Sequence, residues 1–435
     1  MNNDVIRYII RFLLHDNAAL ADCVGYTADI SQYGRFRVVI TPSGFFDSER
    51  YGTQASLPTL PLSSMGKTPL LFGSAQTEWA GDTLVVCADI VAGSFFLLSR
   101  YEEWLADDAA FDCHKRFIGA RSIAARAGFI HRPIVDEYAA LLREWLRMVG
   151  LHVDDPQAGF AQITLTHDVD TLETFRHLRG VLGGIKRAIL HGEPFVRPAV
   201  KAFLRLENDP AYTFPWLFEQ NQRVAAARTV CFVKAVRRGA TLDYPAYNPC
   251  GRDAKRFFEL CAAHHVHLGL HTSYAAADSP QDIVAEQALL CQATGKHITD
   301  NRHHYLRMLP PNCPDRLTAA GLSDDFTIAY PDVAGFRLGT CRAVRWIDPA
   351  TIRLADVLLH PLTVMESTLS NENYMNLSFA DAWRYCCLLI EQVYQHHGEL
   401  TLLWHNTSVA VRAAGYHRQL YEKIITLLAD YSTSR

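Results

Sequence analysis

Ile163-Thr-Leu-Thr-His-Asp-Val-Asp-Thr171 is the stretch on which the reading of this chain turns. Residues 163–166 read as a short buried strand that runs straight into two carboxylates, Asp168 and Asp170. Side chains of a strand alternate between faces, so positions two apart point the same way. The spacing therefore predicts that Asp168 and Asp170 project together from the carboxyl end of one strand. In parallel α/β folds that end is where ligands and catalytic groups collect. One carboxylate could hold a metal while the other stays free to handle a proton. The plainer reading of an isolated D-x-D is an Asx-rich turn capping the next helix. What decides between them is the rest of the chain.

Downstream of residue 160, strand and helix patterns alternate as in βα units around a parallel sheet. Strands are expected at 161–166, 229–233, 266–270, 298–302, 327–330 and 400–404, with helices at 214–226, 252–264, 280–294, 379–396 and 418–431. The segment 180–212 reads as irregular, with turn residues at His191-Gly-Glu-Pro194 and Asn208-Asp-Pro210. Three further strands end in titratable groups: Val266-His-Leu-Gly-Leu-His271, Ile298-Thr-Asp-Asn-Arg-His-His-Tyr-Leu-Arg307 and Leu400-Thr-Leu-Leu-Trp-His-Asn406. Taken singly, each histidine reads as an ordinary core or surface residue. Four strand ends that converge at one mouth are harder to explain by packing. One carboxylate and two imidazoles suit zinc or a similar divalent ion with a position left open for water. Such a water is acidic enough to attack near neutral pH. A second carboxylate can take its proton, and a histidine elsewhere can protonate a leaving group.

Upstream, residues 1–155 read as a separate, smaller unit, joined to residues 156–435 through Asp154-Asp-Pro-Gln-Ala-Gly159. Strands are expected at 36–40 and 83–87, a loop-rich stretch at 42–74, and helices at 90–104 and 134–149. Phe95-Phe-Leu-Leu-Ser-Arg-Tyr-Glu-Glu-Trp104 sets Arg100 beside two glutamates, read as a packed ion-pair network. No catalytic constellation is found here. The N-terminal residues read as an amphipathic helix rather than a signal peptide, and the apolar run 84–98 carries Asp89 and is too short to span a bilayer. A formal net charge of −4 leaves no electrostatic footprint for nucleic acid. The eleven cysteines form no C-x-x-C and suit reduced thiols. Together these point to a cytoplasmic protein without a transmembrane segment.

Thr166-His-Asp-Val-Asp170, Gly269-Leu-His-Thr-Ser273, the 302–307 stretch and Leu403-Trp-His405 resemble the motifs of the polysaccharide deacetylase (NodB-homology) superfamily, carbohydrate esterase family 4. The match is closest to a bacterial branch whose first motif reads T-H-D-V-D. That branch often carries an N-terminal domain of unknown function with an F-F-L-L-S-R-Y-E-E motif, matched here by residues 95–103. The resemblance implies an α/β protein: a distorted (β/α)7 barrel preceded by a smaller α/β domain. It implies metal-dependent removal of an N-acetyl group from an amino sugar. Asp168 matches the family's general base, Asp170 and His271 its metal ligands, and His405 its general acid. Leu403 would line the pocket for the acetyl methyl, and Arg302 would pair with the base and hold its orientation.

One departure stands out. The second motif usually has another histidine four residues after the first, and here that position is Ala275. His304 is the expected replacement, because it lies near the same strand mouth, whereas His303 should point to the opposite side. Arg337 and Tyr274 are the further candidates for substrate contact, and Trp346 and Trp404 for stacking on sugar rings. Asp324, Asp325 and Asp332 are candidates to orient His405. Two rival readings stay open at this level. Ala275 favours a degenerate member that binds a saccharide without hydrolysing it. The paired carboxylate and histidines equally suit hydrolysis of another ester, a cyclic amide or a phosphoester. A cytoplasmic location would direct the enzyme to a glycan precursor or lipid-linked saccharide. The sugar, the native metal and the oligomeric state are not encoded in these motifs.

Overall fold

Strands of the N-terminal part form one four-stranded sheet, with Val38–Ile40 and Thr83–Ala88 buried at its centre, and a separate hairpin. In a computed structural model describing residues 3–176, 180–183, 196–236, 240–410 and 415–433, these are β1 (Val24–Tyr26), β2 (Val38–Ile40), β3 (Ser63–Met65), β4 (Thr68–Leu70), β5 (Gly73–Ala80) and β6 (Thr83–Ala88). The sheet order is β1-β2-β6-β5, parallel except for β5, while β3 and β4 pair as a hairpin inside the stretch expected to be loop. The expected helix at 90–104 is two helices, Ile90–Leu98 and Tyr101–Leu105. Arg100 breaks it with a left-handed backbone, φ 55°. Its buried guanidinium packs over Trp346 and donates to Leu309 O at 2.9 Å. Tertiary contacts here override helical periodicity.

The second sheet contains β7 (Gln162–Val169), β8 (Ala227–Val233), β9 (His267–Thr272), β10 (Asp300–His303), β11 (Asp324–Asp325), β12 (Val344–Asp348), β13 (Arg353–Leu359), β14 (Val364–Met365) and β15 (Glu399–Leu403). Its order is β12-β13-β11-β10-β9-β8-β7-β15-β14, and every pairing is parallel except β12 with β13. Helices return the chain between strands, among them Phe214–Asn221, Arg252–Ala263, Pro280–Thr294 and Phe379–Gln395. The third of these matches the expected bounds because its signals are local. Ser279 caps it by accepting from Asp282 N, Pro280 opens it, and Gly295 closes it with φ 66°.

The sheet curls, and the chain between β13 and β14 bridges from β11 to β15. His360 N donates to Asp325 O, Leu362 N to Ile328 O and Thr363 N to Thr401 O. The His360 ring spans the same gap, with Nε2 3.0 Å from Asp324 Oδ1 and Nδ1 3.0 Å from Glu399 Oε2. Burial disfavours the charged ring, but hydrogen bonds and attraction from Asp324 and Glu399 outweigh it and push its pKa up to about 9. Because the folded pKa is raised, this stabilisation is full below the unfolded value near 6.5 and is lost as pH rises through about 9. It corresponds to roughly 3 kcal/mol. His360→Gln should therefore flatten the loss of stability between pH 6.5 and 9, as read by urea denaturation at a series of pH values.

Two sequence expectations are corrected. The run 327–330 is not a strand, and β11 precedes it. Asp325 Oδ1 accepts from Thr327 N at 2.9 Å and Oδ2 from Thr327 Oγ1 at 3.0 Å, a local turn that ends the pairing. The strands β12, β13 and β14 were not expected, since Val-Arg-Trp-Ile-Asp and Arg-Leu-Ala-Asp-Val-Leu-Leu mix charge into the apolar pattern. The turn expected at His191-Gly-Glu-Pro194 lies outside the described residues.

One apolar core runs through both parts, from Val5 to Leu428. Buried ion pairs cross between them: Arg337 to Glu103 at 2.7 Å and Arg342 to Asp136 at 2.7 Å. Gly119 lies so close to the other part that a Cβ there would meet Val333 at 2.5 Å. The network expected around Arg100 thus takes its second guanidinium from residue 337. All eleven cysteines are free, and among the described residues no helix is long and apolar enough to cross a membrane.

Candidate active site

Strand β7 delivers the two carboxylates as alternation requires. Thr166 and Asp168 share one face, where Arg302 Nη1 donates to Thr166 Oγ1 at 2.7 Å and to Asp168 Oδ1 at 2.9 Å. His167, between them, points to the other face and is held by Trp404 O at 2.7 Å and Asn221 Nδ2 at 3.0 Å. Its burial pushes its pKa down to about 4, so it is a neutral core residue. Asp170 follows the last strand residue and turns into the same mouth as Asp168. Parallel registry places β9 and β10 side by side, with His271 opposite Arg302. The carboxyl ends of β7, β9, β10 and β15 therefore open into one cavity of about 300 Å³, whose walls include Asp168, Asp170, Lys234, His271, His304 and His405.

Asp170, His271 and His304 form a compact donor set, with one ligand atom from each lying within 4.8 Å of the others. Asp170 Oδ1 is 3.2 Å from His271 Nε2 and 3.2 Å from His304 Nε2. Ligand bonds of 2.0–2.1 Å in a tetrahedron put neighbouring ligand atoms about 3.3 Å apart, so these spacings suit a divalent ion. The ring nitrogens are presented correctly as well. His271 Nδ1 donates to Arg302 O at 2.9 Å and His304 Nδ1 donates to Asp243 Oδ1 at 3.1 Å, leaving both Nε2 lone pairs facing Asp170. Asp170 Oδ1 and His271 Nε2 are buried and make no hydrogen bond. Two buried acceptor atoms left facing each other are costly without a cation between them.

His303 does not join the set. It is buried with neither ring nitrogen hydrogen-bonded, and burial pushes its pKa down to about 3. Ala275 does not face the set either; it lines a different cavity beside Val236, Ser273 and Glu286. Behind the set lies Asp243, which accepts from His304 Nδ1. Besides orienting His304, its carboxylate accepts from Tyr274 N at 2.6 Å and Ala275 N at 3.3 Å. Lys234 Nζ, 4.0 Å from Asp170 Oδ1, is anchored by Asp243 O and Pro245 O.

Asp168 keeps Oδ2 turned to the cluster, 3.6 Å from His271 Nε2. Arg302, fully buried, also donates to Phe326 O at 3.0 Å and lies 4.4 Å over the Phe232 ring. That ring occupies the place a Cβ on Gly269 would take, 2.5 Å away, so glycine in β9 lets the platform under Arg302 form. On the other side of the mouth His405 Nε2 is 3.6 Å from Asp170 Oδ2. Its Nδ1 donates to Glu366 Oε1 at 2.7 Å, and its backbone N to the same oxygen at 3.0 Å. Burial opposes the charged imidazole, but Glu366 outweighs it and holds the pKa up to about 10.

Glu366, at the start of the helix Glu366–Ser370, and Asp243 were both missed in the sequence. Glu366 follows β14, a strand the sequence did not reveal, Asp243 follows no strand directly, and no spacing links either to the histidine it orients. The expected partners of His405 bind elsewhere: Asp324 to His360, Asp325 to Asn301 and Thr327, and Asp332 to the backbone N of Gly119 and Ala120. Leu403 is buried under the mouth with Leu306 and Met365, which line the cavity. Arg337 is not brought to this cavity, since Glu103 takes its guanidinium. Tyr274 sits behind the rim, 5.7 Å from the Tyr305 ring. Trp346 and Trp404 are core residues. The aromatic surface at the mouth comes instead from Tyr244 and Tyr305, 62% and 38% exposed.

A family model described as a family of unknown function (DUF7033) matches residues 5–150. No curated protein matches the chain. Among solved structures, a putative polysaccharide deacetylase from Mycobacterium smegmatis is similar over 64% of this chain and 89% of its own, with 13% sequence identity and a TM-score of 0.38. A likeness at that level does not assign a function.

Proposed function

We propose that the protein is a metal-dependent hydrolase that removes an N-acetyl group from an amino sugar. The observation that carries this reading is one mouth holding a three-residue donor set, a carboxylate outside that set, and a carboxylate-backed histidine. Asp170, His271 and His304 would hold a divalent ion, zinc by the character of the donors. When bound, that ion supplies Lewis acidity toward the amide carbonyl and toward a water.

The protein's own residues do the rest. Arg302 occupies Asp168 Oδ1, which leaves Oδ2 to take the proton of the attacking water. As the new C–O bond forms and the C–N bond breaks, His405 Nε2 gives a proton to the departing amine. Glu366 keeps its imidazole in the required tautomer and orientation. Leu306 and Met365, backed by Leu403, offer an apolar wall for the acetyl methyl. Exposed Tyr244 and Tyr305 supply flat apolar faces with a polar tip at the rim, which suits a sugar ring. The wider architecture is part of the proposal: a seven-stranded barrel of β7 to β11, the β13–β14 chain and β15, preceded by a separate domain of residues 1–155.

The test is release of acetate from a panel of N-acetylated and O-acetylated sugars after reconstitution with zinc. Acetate from the N-acetyl compounds supports the proposal. Acetate from the O-acetyl compounds alone, or from none, overturns it. Within the same assay Glu366→Gln should lower kcat by about a hundredfold or more with little change in KM, because it removes the group that orients the acid rather than one that touches substrate. A kcat within a few-fold of the parent would remove His405 from the acid role.

A further inference from the structure

A second cavity, of about 640 Å³, opens beside the first between the segments 100–117 and 307–316. Arg116 lies in the wall of both cavities. It is anchored there, with Nε donating to Asp112 at 2.7 Å, Nη1 to Tyr305 O at 2.9 Å and Nη2 to the Tyr374 hydroxyl at 3.0 Å. The shared Arg116 sets this cleft next to the cavity that holds the candidate metal set.

The charge lining the cleft is unbalanced: six cationic side chains face four carboxylates. Three of the carboxylates are already engaged. Asp112 binds Arg116, Asp278 binds Arg307 at 2.7 Å, and Glu103 is shared by Arg100 and Arg337. Glu103 thus serves two buried guanidiniums, and Arg100 Nη2 makes no hydrogen bond. Asp325, which accepts from Asn301 and Thr327, also attracts Arg100 from behind. Among the described residues neither Lys115 nor Arg316 has a carboxylate partner, and Arg316 donates only to Ala277 O. Partly enclosed cations attract an anion more strongly than the same charges on an open surface.

We propose that this cleft is the subsite for an anionic substituent, a carboxylate or a phosphate, of the same saccharide whose acetamido group enters the metal-lined cavity. The substrate class is then an acidic glycan or glycan precursor, and the segment 100–117 sets that selectivity. This inference rests on the saccharide-hydrolase reading for the identity of its ligand, but its test needs no turnover.

Calorimetric titration of the full chain with trigalacturonate, maltotriose, glucose 1-phosphate and glucose provides that test. Either acidic probe should bind at least about tenfold more tightly than its neutral counterpart at low ionic strength, with the preference shrinking as salt is raised. Preference for the uronate identifies a carboxylate as the natural group, and preference for the sugar phosphate identifies a phosphate. The double variant Lys115→Glu, Arg316→Gln should abolish the preference, and the exposed single variant Lys115→Glu should weaken it measurably if the double variant does not fold. Equal binding of acidic and neutral probes overturns the proposal, as does a preference untouched by these substitutions. Acetate release from neutral N-acetyl sugars without any anion preference would remove this subsite alone. Anion preference without acetate release would leave the subsite and remove the hydrolase reading.

Discussion

Replacing Asp168 with asparagine is expected to lower acetate release by about a hundred- to ten-thousandfold while the divalent ion stays bound. The separation follows from geometry. Asp168 lies outside the donor set of Asp170, His271 and His304, and its Oδ1 is taken by Arg302 at 2.9 Å. Asparagine keeps an oxygen for that arginine but has no basic atom to place where Oδ2 faces His271. Folding should be retained, because the buried guanidinium still has Thr166 Oγ1 and Phe326 O as acceptors. Acetate release and metal content measured on the same preparation decide the matter. An asparagine variant that loses both ion and activity would make Asp168 a ligand, and one that keeps its activity would move the base elsewhere.

The second large effect concerns two adjacent histidines with opposite fates. His304→Ala should reduce affinity for the divalent ion by well over the 10–100-fold that typically follows loss of a supporting partner of a ligand. Asp243→Asn, which touches His304 only through Nδ1, should fall within that 10–100-fold range. His303→Ala should leave ion affinity unchanged and instead cost stability, about 1–3 kcal/mol, because removing a wholly buried ring leaves a cavity. Competition with a chromogenic chelator gives the affinities, and urea denaturation gives the stability. If His303→Ala released the ion and His304→Ala kept it, the alternation on which the site is built would be wrong. Absence of a stoichiometric divalent ion from the parent protein after reconstitution would instead revive a saccharide-binding role without catalysis.

The His304 contrast also shows how far local reasoning reaches. Strand alternation put Asp168 and Asp170 together and set His304 apart from His303 without knowledge of any other segment. It also bears on the missing histidine at position 275. The departure there pointed to His304 as the replacement, and β10, next to β9, carries that histidine to 3.2 Å from Asp170 Oδ1. Sequence spacing does not record which strands are neighbours.

What the chain dictated by itself was the class of fold and the contents of one mouth. Period-two and period-3.6 patterns are local, so βα units, their carboxyl ends and the titratable residues there were legible in the sequence. Tertiary structure alone decided which groups would support them. Asp243 and Glu366 reach their histidines from other segments, 61 and 39 residues away in sequence. Arg337 left its expected place for Glu103, 234 residues upstream. Arg116, at one corner of the cavity, comes from the part of the chain where no catalytic constellation was found. Such contacts form because a buried charge must find an opposite charge or a hydrogen-bond partner wherever packing places one, and that choice depends on the whole fold rather than on neighbouring residues.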